Sequence, residues 1–284
     1  MFEILSRQEL NPTVVRISVH APLIAQKAEP GQFVILRAGT ESERIPLTIA
    51  DYDRIGGSIT LIFQLVGAGT MELGRLQVGE RLQDLVGPLG KATETEGLRR
   101  VCVVGGGVGS AIAYPIAKKL HMQGTVVHSV VGFRTRDLVI LEDDFRAVSD
   151  ELHLLTDDGS YGEKGLVTNA LESLILAGNQ YDEVIAIGPL VMMKLVSLTT
   201  KKYNVKTIVS MNPIMVDGTG MCGGCRLTVG GETKFACVDG PDFDGHKVDF
   251  AELMNRNGVY KEREAEERAS HACRLQKLGE ELIK

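Results

Sequence analysis

The stretch from Asp217 to Cys237 constrains this chain more than any other. It holds three of the five cysteines: Cys222 and Cys225 are separated by two residues, and Cys237 follows a short apolar segment. Glycines at 218, 220, 223 and 224 free the backbone to take positive φ and to wrap closely around a bound group. Loops of this kind carry thiolates to a metal, and the Cys222–Cys225 gap suits zinc and iron–sulfur equally.

The residues past Cys225 predict how the third thiol returns. Arg226–Val229 and Glu232–Cys237 read as strands joined by Gly230-Gly231, a favoured two-residue hairpin turn. That register sets Val229 opposite Glu232, Leu227 opposite Lys234 and Cys225 opposite Ala236, which returns Cys237 beside Cys225. No fourth cysteine lies near. Asp217 stands five residues before Cys222, where plant-type C-x4-C-x2-C spacing puts its first ligand, and its carboxylate is placed to close the set. On spacing alone, a zinc knuckle and a glycine loop with bystander thiols stay open.

Asp-x4-Cys-x2-Cys-x11-Cys followed by Val238-Asp-Gly-Pro-Asp-Phe-Asp-Gly-His246 resembles the [2Fe–2S] lobe of the dihydroorotate dehydrogenase electron-transfer subunit family. Within it, the aspartate at the first ligand position resembles the branch of small subunits of NADH-dependent reduced ferredoxin:NADP oxidoreductases, the electron-bifurcating transhydrogenases. The resemblance implies metal ligands Asp217, Cys222, Cys225 and Cys237.

The bulk properties agree with a soluble globular protein. In 284 residues there is room for about two domains, and 44% hydrophobic with 24% charged residues is ordinary. The net charge of −6 argues against a nucleic-acid surface or a polybasic membrane anchor. The longest apolar run, Val101 to Ala117, is interrupted by four glycines and a proline and reads as strand–turn–helix rather than a membrane span. The start has an acid at position 3 and no apolar core for a signal peptide. Five cysteines in that setting fit a reducing, cytoplasmic compartment and a metal site better than disulfides.

Residues 1–95 read as a small β-barrel. Val15, Ile17 and Val19 alternate with polar residues, Gln32–Arg37 and Ser58–Val66 are similar runs, and turn residues punctuate them. This resembles the flavin domain of the ferredoxin reductase superfamily. Arg44-Ile-Pro46-Leu47-Thr48 is similar to its Arg-x-Tyr-Ser/Thr motif, with Pro46 in the tyrosine position. An arginine at a strand end can clamp a pyrophosphate. Val66-Gly67-Ala-Gly69-Thr70 runs from a strand into a helical Thr70–Leu76, whose free N–H groups suit the FAD pyrophosphate. A plain turn capped by Thr70 is the bland reading.

Residues 96–208 alternate strand and helix. The strand Arg100–Val104 enters Gly105-Gly106-Gly107-Val108-Gly109-Ser110 and then the helical Ala111–Leu120. Strands at Thr125–Val131, Glu151–Leu155 and Glu183–Ile187 complete a parallel α/β reading. The turn departs from the standard dinucleotide fingerprint: Ser110 replaces the third glycine and no acid ends the second strand. Such turns are common among ferredoxin reductase relatives, and the loops at Thr156-Asp-Asp158 and Gly188-Pro189-Leu-Val-Met192 resemble their other NAD(P) contacts. Arg134 and Arg136 read either as contacts to a 2′-phosphate or as surface charges; the resemblance favours NADH. Cys102, inside an apolar strand, reads as a core thiol.

Residues 209–250 form the expected cluster lobe, and 251–284 its C-terminal helices, over Val248–Asn255 and about Lys261–Ile283. The second of these carries an apolar stripe at Ala265, Ala269, Ala272, Leu275, Leu278 and Leu282. The fold class that results is a β-barrel flavin domain plus an α/β nucleotide-binding domain with a small [2Fe–2S] lobe. The resemblance implies an FAD- and [2Fe–2S]-containing NAD(H) oxidoreductase subunit without an essential side-chain acid or base. It implies a heterodimer with a larger flavin/[4Fe–4S] subunit that reacts with NADPH and ferredoxin, since this chain has no cysteines left for a [4Fe–4S] cluster. The alternatives are the electron-transfer subunit of NAD-dependent dihydroorotate dehydrogenase and a non-catalytic zinc scaffold.

Overall fold

A computed structural model describes residues 2–259. The chain opens with β1 (Phe2–Asn11), β2 (Val14–His20), the short helix α1 (Pro22–Ala25), β3 (Phe33–Arg37), β4 (Ile45–Asp53), β5 (Ser58–Gln64), α2 (Ala68–Leu73), β6 (Arg81–Leu82) and β7 (Asp84–Leu89). These strands pair antiparallel in the order β6-β1-β2-β5-β4-β3-β7, a nearly closed barrel. The alternation read in β2 holds: Val15, Ile17 and Val19 are buried in the barrel core while Arg16 and Ser18 are half-exposed. Strand β3 alternates differently. Val34 and Leu36 face the barrel core, whereas Phe33 and Ile35 belong to a second core on the outside.

The chain continues through β8 (Arg100–Gly106), α3 (Gly109–Met122), β9 (Val126–Phe133), α4 (Glu142–Val148), β10 (Glu151–Thr156), β11 (Glu163–Lys164), α5 (Val167–Leu176), β12 (Glu183–Ile187), α6 (Leu190–Lys202) and β13 (Thr207–Ser210). These strands form a parallel sheet in the order β11-β10-β9-β8-β12-β13. Along β8, Val101 and Val103 pack towards α3 and α4, while Cys102 and Val104 pack towards α5 and α6. A strand covered on both faces must be apolar on both, which is why this segment reads as an unbroken hydrophobic run. Burial also pushes the Cys102 thiol far up, as a core thiol should be.

The last segment holds β14 (Arg226–Val229), β15 (Glu232–Phe235), α7 (Ala236–Asp239), β16 (Asp242–Asp244) and α8 (Phe250–Gly258). β16 pairs antiparallel with β13 and so becomes the edge of the parallel sheet. The lobe thus shares a sheet and a core with the α/β unit. Two details differ from the sequence expectation. The second hairpin strand ends at Phe235, because Ala236–Asp239 turn helically. The following helix begins at Phe250, where Asp249 caps it by accepting the Glu252 N–H at 3.0 Å. The expected helix over Lys261–Ile283 lies outside the described residues.

The barrel is seated on the α/β unit. Val14, Ala50 and Ile62 join the core beneath α3. Lys118 on α3 donates to both carboxylate oxygens of Asp51 on β4, at 2.9 and 2.8 Å. Thr93, in the connection between the two sheets, donates to Asp242 at 2.5 Å.

Candidate functional site

The hairpin brings the thiols together as its register requires. Val229 faces Glu232, Leu227 faces Lys234, and the Ala236 N–H reaches the Cys225 carbonyl at 3.1 Å. Cys225 and Cys237 are both buried, with their sulfurs 3.2 Å apart. Burial, with the neighbouring Cys225 sulfur adding to it, pushes the Cys237 thiol up to about 12. Two soft donors buried against each other, without an oxygen acceptor, match what a thiolate-bound metal needs.

Cys222 is exposed on the glycine loop, and Asp217 lies beneath it. Asp217 Oδ2 accepts the Cys222 N–H at 2.8 Å and Oδ1 accepts the Thr219 N–H at 2.9 Å. These bonds, that from Thr219 first, hold the carboxyl below the usual carboxylate range. The carboxylate shapes the glycine turn and keeps free lone pairs on the same oxygens. From α8, Arg256 ties the loop down by donating to the Gly224 carbonyl at 3.1 Å and to that of Arg226. Among the described residues no three His, Cys, Asp or Glu side chains converge as a preformed metal site. The chain pairs two of the four expected donors and carries the other two on one hydrogen-bonded loop; the donor set of three thiols and one carboxylate fits an iron–sulfur centre.

A cleft of about 740 Å³ opens where the barrel meets the carboxyl ends of the parallel strands. Gly106, Gly107, Val108, Gly109, Arg134, Gly188, Pro189 and Met192 all line it. The glycines in this turn do different jobs. A Cβ on Gly105 would lie 2.7 Å from Ser110 Oγ, and one on Gly109 would lie 2.5 Å from the Ile187 carbonyl oxygen. Those two let helix α3 sit tight on the sheet; the room that a third glycine normally gives is supplied here by Gly105, so Ser110 fits. Gly107, at φ +55, has nothing within 4 Å of its would-be Cβ and faces open space.

Two site expectations shift in this region. Gly105 is buried behind the turn, and Asp158 is not in the wall: its Oδ1 accepts the Ser160 N–H at 2.9 Å and the Ser160 hydroxyl at 2.6 Å. Asp157 lines the cleft instead, at the end of β10. The sequence reading missed it because it sought an acid after the second strand, whereas this one follows the third. It also missed Asn11, Thr13 and Gln64, which the barrel contributes to the same cleft. Nothing local marks them; only the seating of the barrel brings them there. Arg136 is turned away onto the Tyr161 ring, 5.5 Å from its centroid.

The flavin-motif residues Arg44, Pro46, Leu47, Thr48, Gly67, Gly69 and Thr70 lie outside this cleft's lining. Pro46 pairs opposite Ile35 and Thr48 opposite Phe33 on the β3–β4 ladder; Leu47 packs against the barrel core, and Arg44 is exposed just before β4. Thr70 does cap its turn, accepting the Val66 and Gly67 N–H groups at 3.0 Å each. The Gly69 N–H already holds an anion: it donates to the Glu43 carboxylate at 3.0 Å, and a Cβ there would run into the Glu43 and Ile45 side chains. A carboxylate already seated on that N–H shows that the turn accepts negative charge.

Comparison with known proteins follows the same division. Residues 212–249 match the family model of the iron–sulfur cluster binding domain of dihydroorotate dehydrogenase B. The chain is 46% identical over 262 residues to the dihydroorotate dehydrogenase B (NAD(+)) electron transfer subunit homolog of Thermotoga maritima, covering 92% of each. It is 33% identical over 254 residues to the electron transfer subunit from Bacillus caldolyticus, covering 86% of this chain and 96% of that one. A solved structure of the NADH-dependent reduced ferredoxin-NADP oxidoreductase, which bears on flavin-based electron bifurcation, superposes with a TM-score of 0.90 and 43% identity. That match covers 95% of this chain and 97% of the other.

Proposed function

Because the chain belongs to the family of dihydroorotate dehydrogenase B electron-transfer subunits, we propose that it exchanges hydride with NAD(H) and passes single electrons to or from a larger partner subunit. It is an oxidoreductase subunit of ferredoxin-reductase-like fold whose cofactors are FAD, a [2Fe–2S] cluster and NAD(H). The match to an iron–sulfur binding domain overturns the zinc-scaffold alternative. When bound, these groups supply the redox chemistry, hydride exchange at the flavin and one-electron exchange at the cluster.

The chain's own residues bind and orient. Asp217, Cys222, Cys225 and Cys237 would hold the cluster. Arg44, Pro46, Leu47 and Thr48 on β4, with the Gly67–Thr70 turn, would hold FAD; Glu43 must leave the Gly69 N–H when the pyrophosphate arrives. Gly106–Gly109 would take the dinucleotide pyrophosphate, with Gly188, Pro189 and Met192 closing over the nicotinamide. Asp157 disfavours a 2′-phosphate in the same wall as Arg134, which supports NADH over NADPH. The observation that carries the whole reading is the buried Cys225–Cys237 pair, packed in one core with barrel residues Phe33 and Ile35.

At finer grain, we assign the chain to an electron-bifurcating NADH-dependent reduced ferredoxin:NADP oxidoreductase, beside a larger flavin/[4Fe–4S] subunit that reacts with NADPH and ferredoxin. The aspartate at the first ligand position and the 0.90 TM-score support this. The test is stopped flow on the chain purified with its native partner. NADH bleaches the flavin much faster than NADPH, and the partner proves to carry [4Fe–4S] cysteines. Preference for NADPH sinks the nucleotide assignment; a dihydroorotate-oxidising partner moves the chain to the dihydroorotate dehydrogenase branch.

A further inference from the structure

We propose that Gly218 is a positioning residue: its bare Cα lets the cluster loop rest directly on the flavin barrel, and that contact sets the gap electrons cross between flavin and cluster. This rests on the assignments of Asp217, Cys222, Cys225 and Cys237 to the cluster and of β4 to the flavin.

Gly218 is buried, although Val216, Thr219, Met221 and Cys222 around it are exposed. It takes φ +76, and a Cβ there would stand 2.6 Å from Ile35 Cδ1 and 2.8 Å from Leu89 Cδ1. Both atoms belong to the barrel. Ile35 lies on β3 and is 1% exposed, so it has little room to give. Its antiparallel partner is Pro46 on the flavin strand. Neighbouring strands are about 4.8 Å apart, so the loop lies one strand away from the flavin motif. A side chain at 218 must push these two side-chain ends aside or lift the loop, and Asp217 with it, off the barrel; with Ile35 buried, the loop is the part with room to move. Electron tunnelling falls exponentially with distance, so a small lift slows the transfer without touching the NADH cleft.

The lobe contains its own control. Gly231, in the hairpin turn, is also left-handed, at φ +83, but nothing lies within 4 Å of a Cβ there. Alanine at 231 therefore imposes the same kind of backbone strain without the barrel contact.

The experiment compares Gly218→Ala and Gly231→Ala in the full chain loaded with FAD and cluster. Gly218→Ala keeps the wild-type rate of flavin reduction by NADH, while cluster reduction slows several-fold. In the iron-free protein the same variant exchanges its β3 and β7 amide hydrogens faster, a readout independent of electron transfer. Gly231→Ala matches the wild type in both. Cluster reduction at the wild-type rate in Gly218→Ala, or equal slowing in Gly231→Ala, overturns the proposal. Where Gly218→Ala takes up less iron, adding Ile35→Val and Leu89→Val removes both Cδ1 atoms in the way and restores iron and rate; failure to restore them counts against the contact. Full iron in Cys225→Ser overturns the ligand assignment, and the proposal falls with it.

Discussion

Two glycine-rich turns serve this chain, and they use glycine in different proportions for packing and for curvature. In the turn from Gly105 to Gly109, most glycines are needed because something is already there: Ser110, Met192 or the Gly188 backbone fills the place of a side chain. In the loop from Asp217 to Gly224, Gly218, Gly220 and Gly223 all have positive φ, and the Asp217 carboxylate binds the N–H groups of Thr219 and Cys222. The first turn is rigid because strand and helix clamp it. The second is shaped by its own backbone and by the Asp217 carboxylate, with Gly218 as its point of contact with the barrel. A glycine cluster therefore has no single meaning; its surroundings decide whether it makes room for packing or for curvature.

Metal-site changes break this comparison hardest. Cys225→Ser takes one sulfur out of the buried pair and Asp217→Ala removes both the carboxylate and the cap of its loop. Each loses the [2Fe–2S] cluster or leaves it labile, read as iron content and as the EPR signal of the reduced protein, while NADH still bleaches the flavin. Asp217→Cys keeps a [2Fe–2S] centre with a changed potential. Full iron with unchanged EPR and potential in Asp217→Ala shows that the fourth ligand lies elsewhere.

A packing glycine comes next. A Cβ at Gly109 would meet the Ile187 carbonyl oxygen at 2.5 Å and Gly188 Cα at 2.6 Å, both backbone atoms without a rotamer to change. Gly109→Ala should cost about 1–3 kcal/mol of stability by overpacking, seen as a lower Tm of the FAD-loaded protein. An unchanged Tm shows that α3 can slide on the sheet and that the clamp is looser than its geometry.

Much of this was legible in the sequence, for physical reasons that differ by region. The hairpin register followed from Gly230-Gly231, because a two-residue turn fixes every pair after it, and so the Cys225–Cys237 meeting followed too. Strand β8 and its turn were plain because a strand buried on both faces is apolar throughout. Asp157 was missed because which strand end reaches the cleft depends on strand order, with β9 between β8 and β10, and order is not a local property. The barrel's share of the cleft, Asn11, Thr13 and Gln64, was hidden for the same reason. The outward face of β3 was hidden as well: Phe33 and Ile35 look like any alternating residues until the lobe covers them.

Gly107 gives the smallest effect on the fold and the sharpest test of the contrast. It is the member of the first turn that shares the positive φ of the second, at +55, and its would-be Cβ points into open space. Its N–H donates to the Gly132 carbonyl at 2.8 Å, which holds the turn across to β9. Gly107→Val then costs only the left-handed strain of about 1–2 kcal/mol, less than a backbone clash brings once neighbours must move. What it does change is the space above the turn, where a dinucleotide pyrophosphate would approach the N–H groups of Val108 and Gly109. A valine there crowds that approach, so the KM for NADH should rise about tenfold for each 1.4 kcal/mol of binding lost. The flavin spectrum, the iron content and electron exchange between flavin and cluster stay as in the wild type. Stopped-flow reduction over a range of NADH concentrations separates the two contributions, since weakened binding moves the half-saturation point and not the limiting rate. Unchanged NADH kinetics in a folded Gly107→Val protein would show that the nucleotide does not lie over this turn.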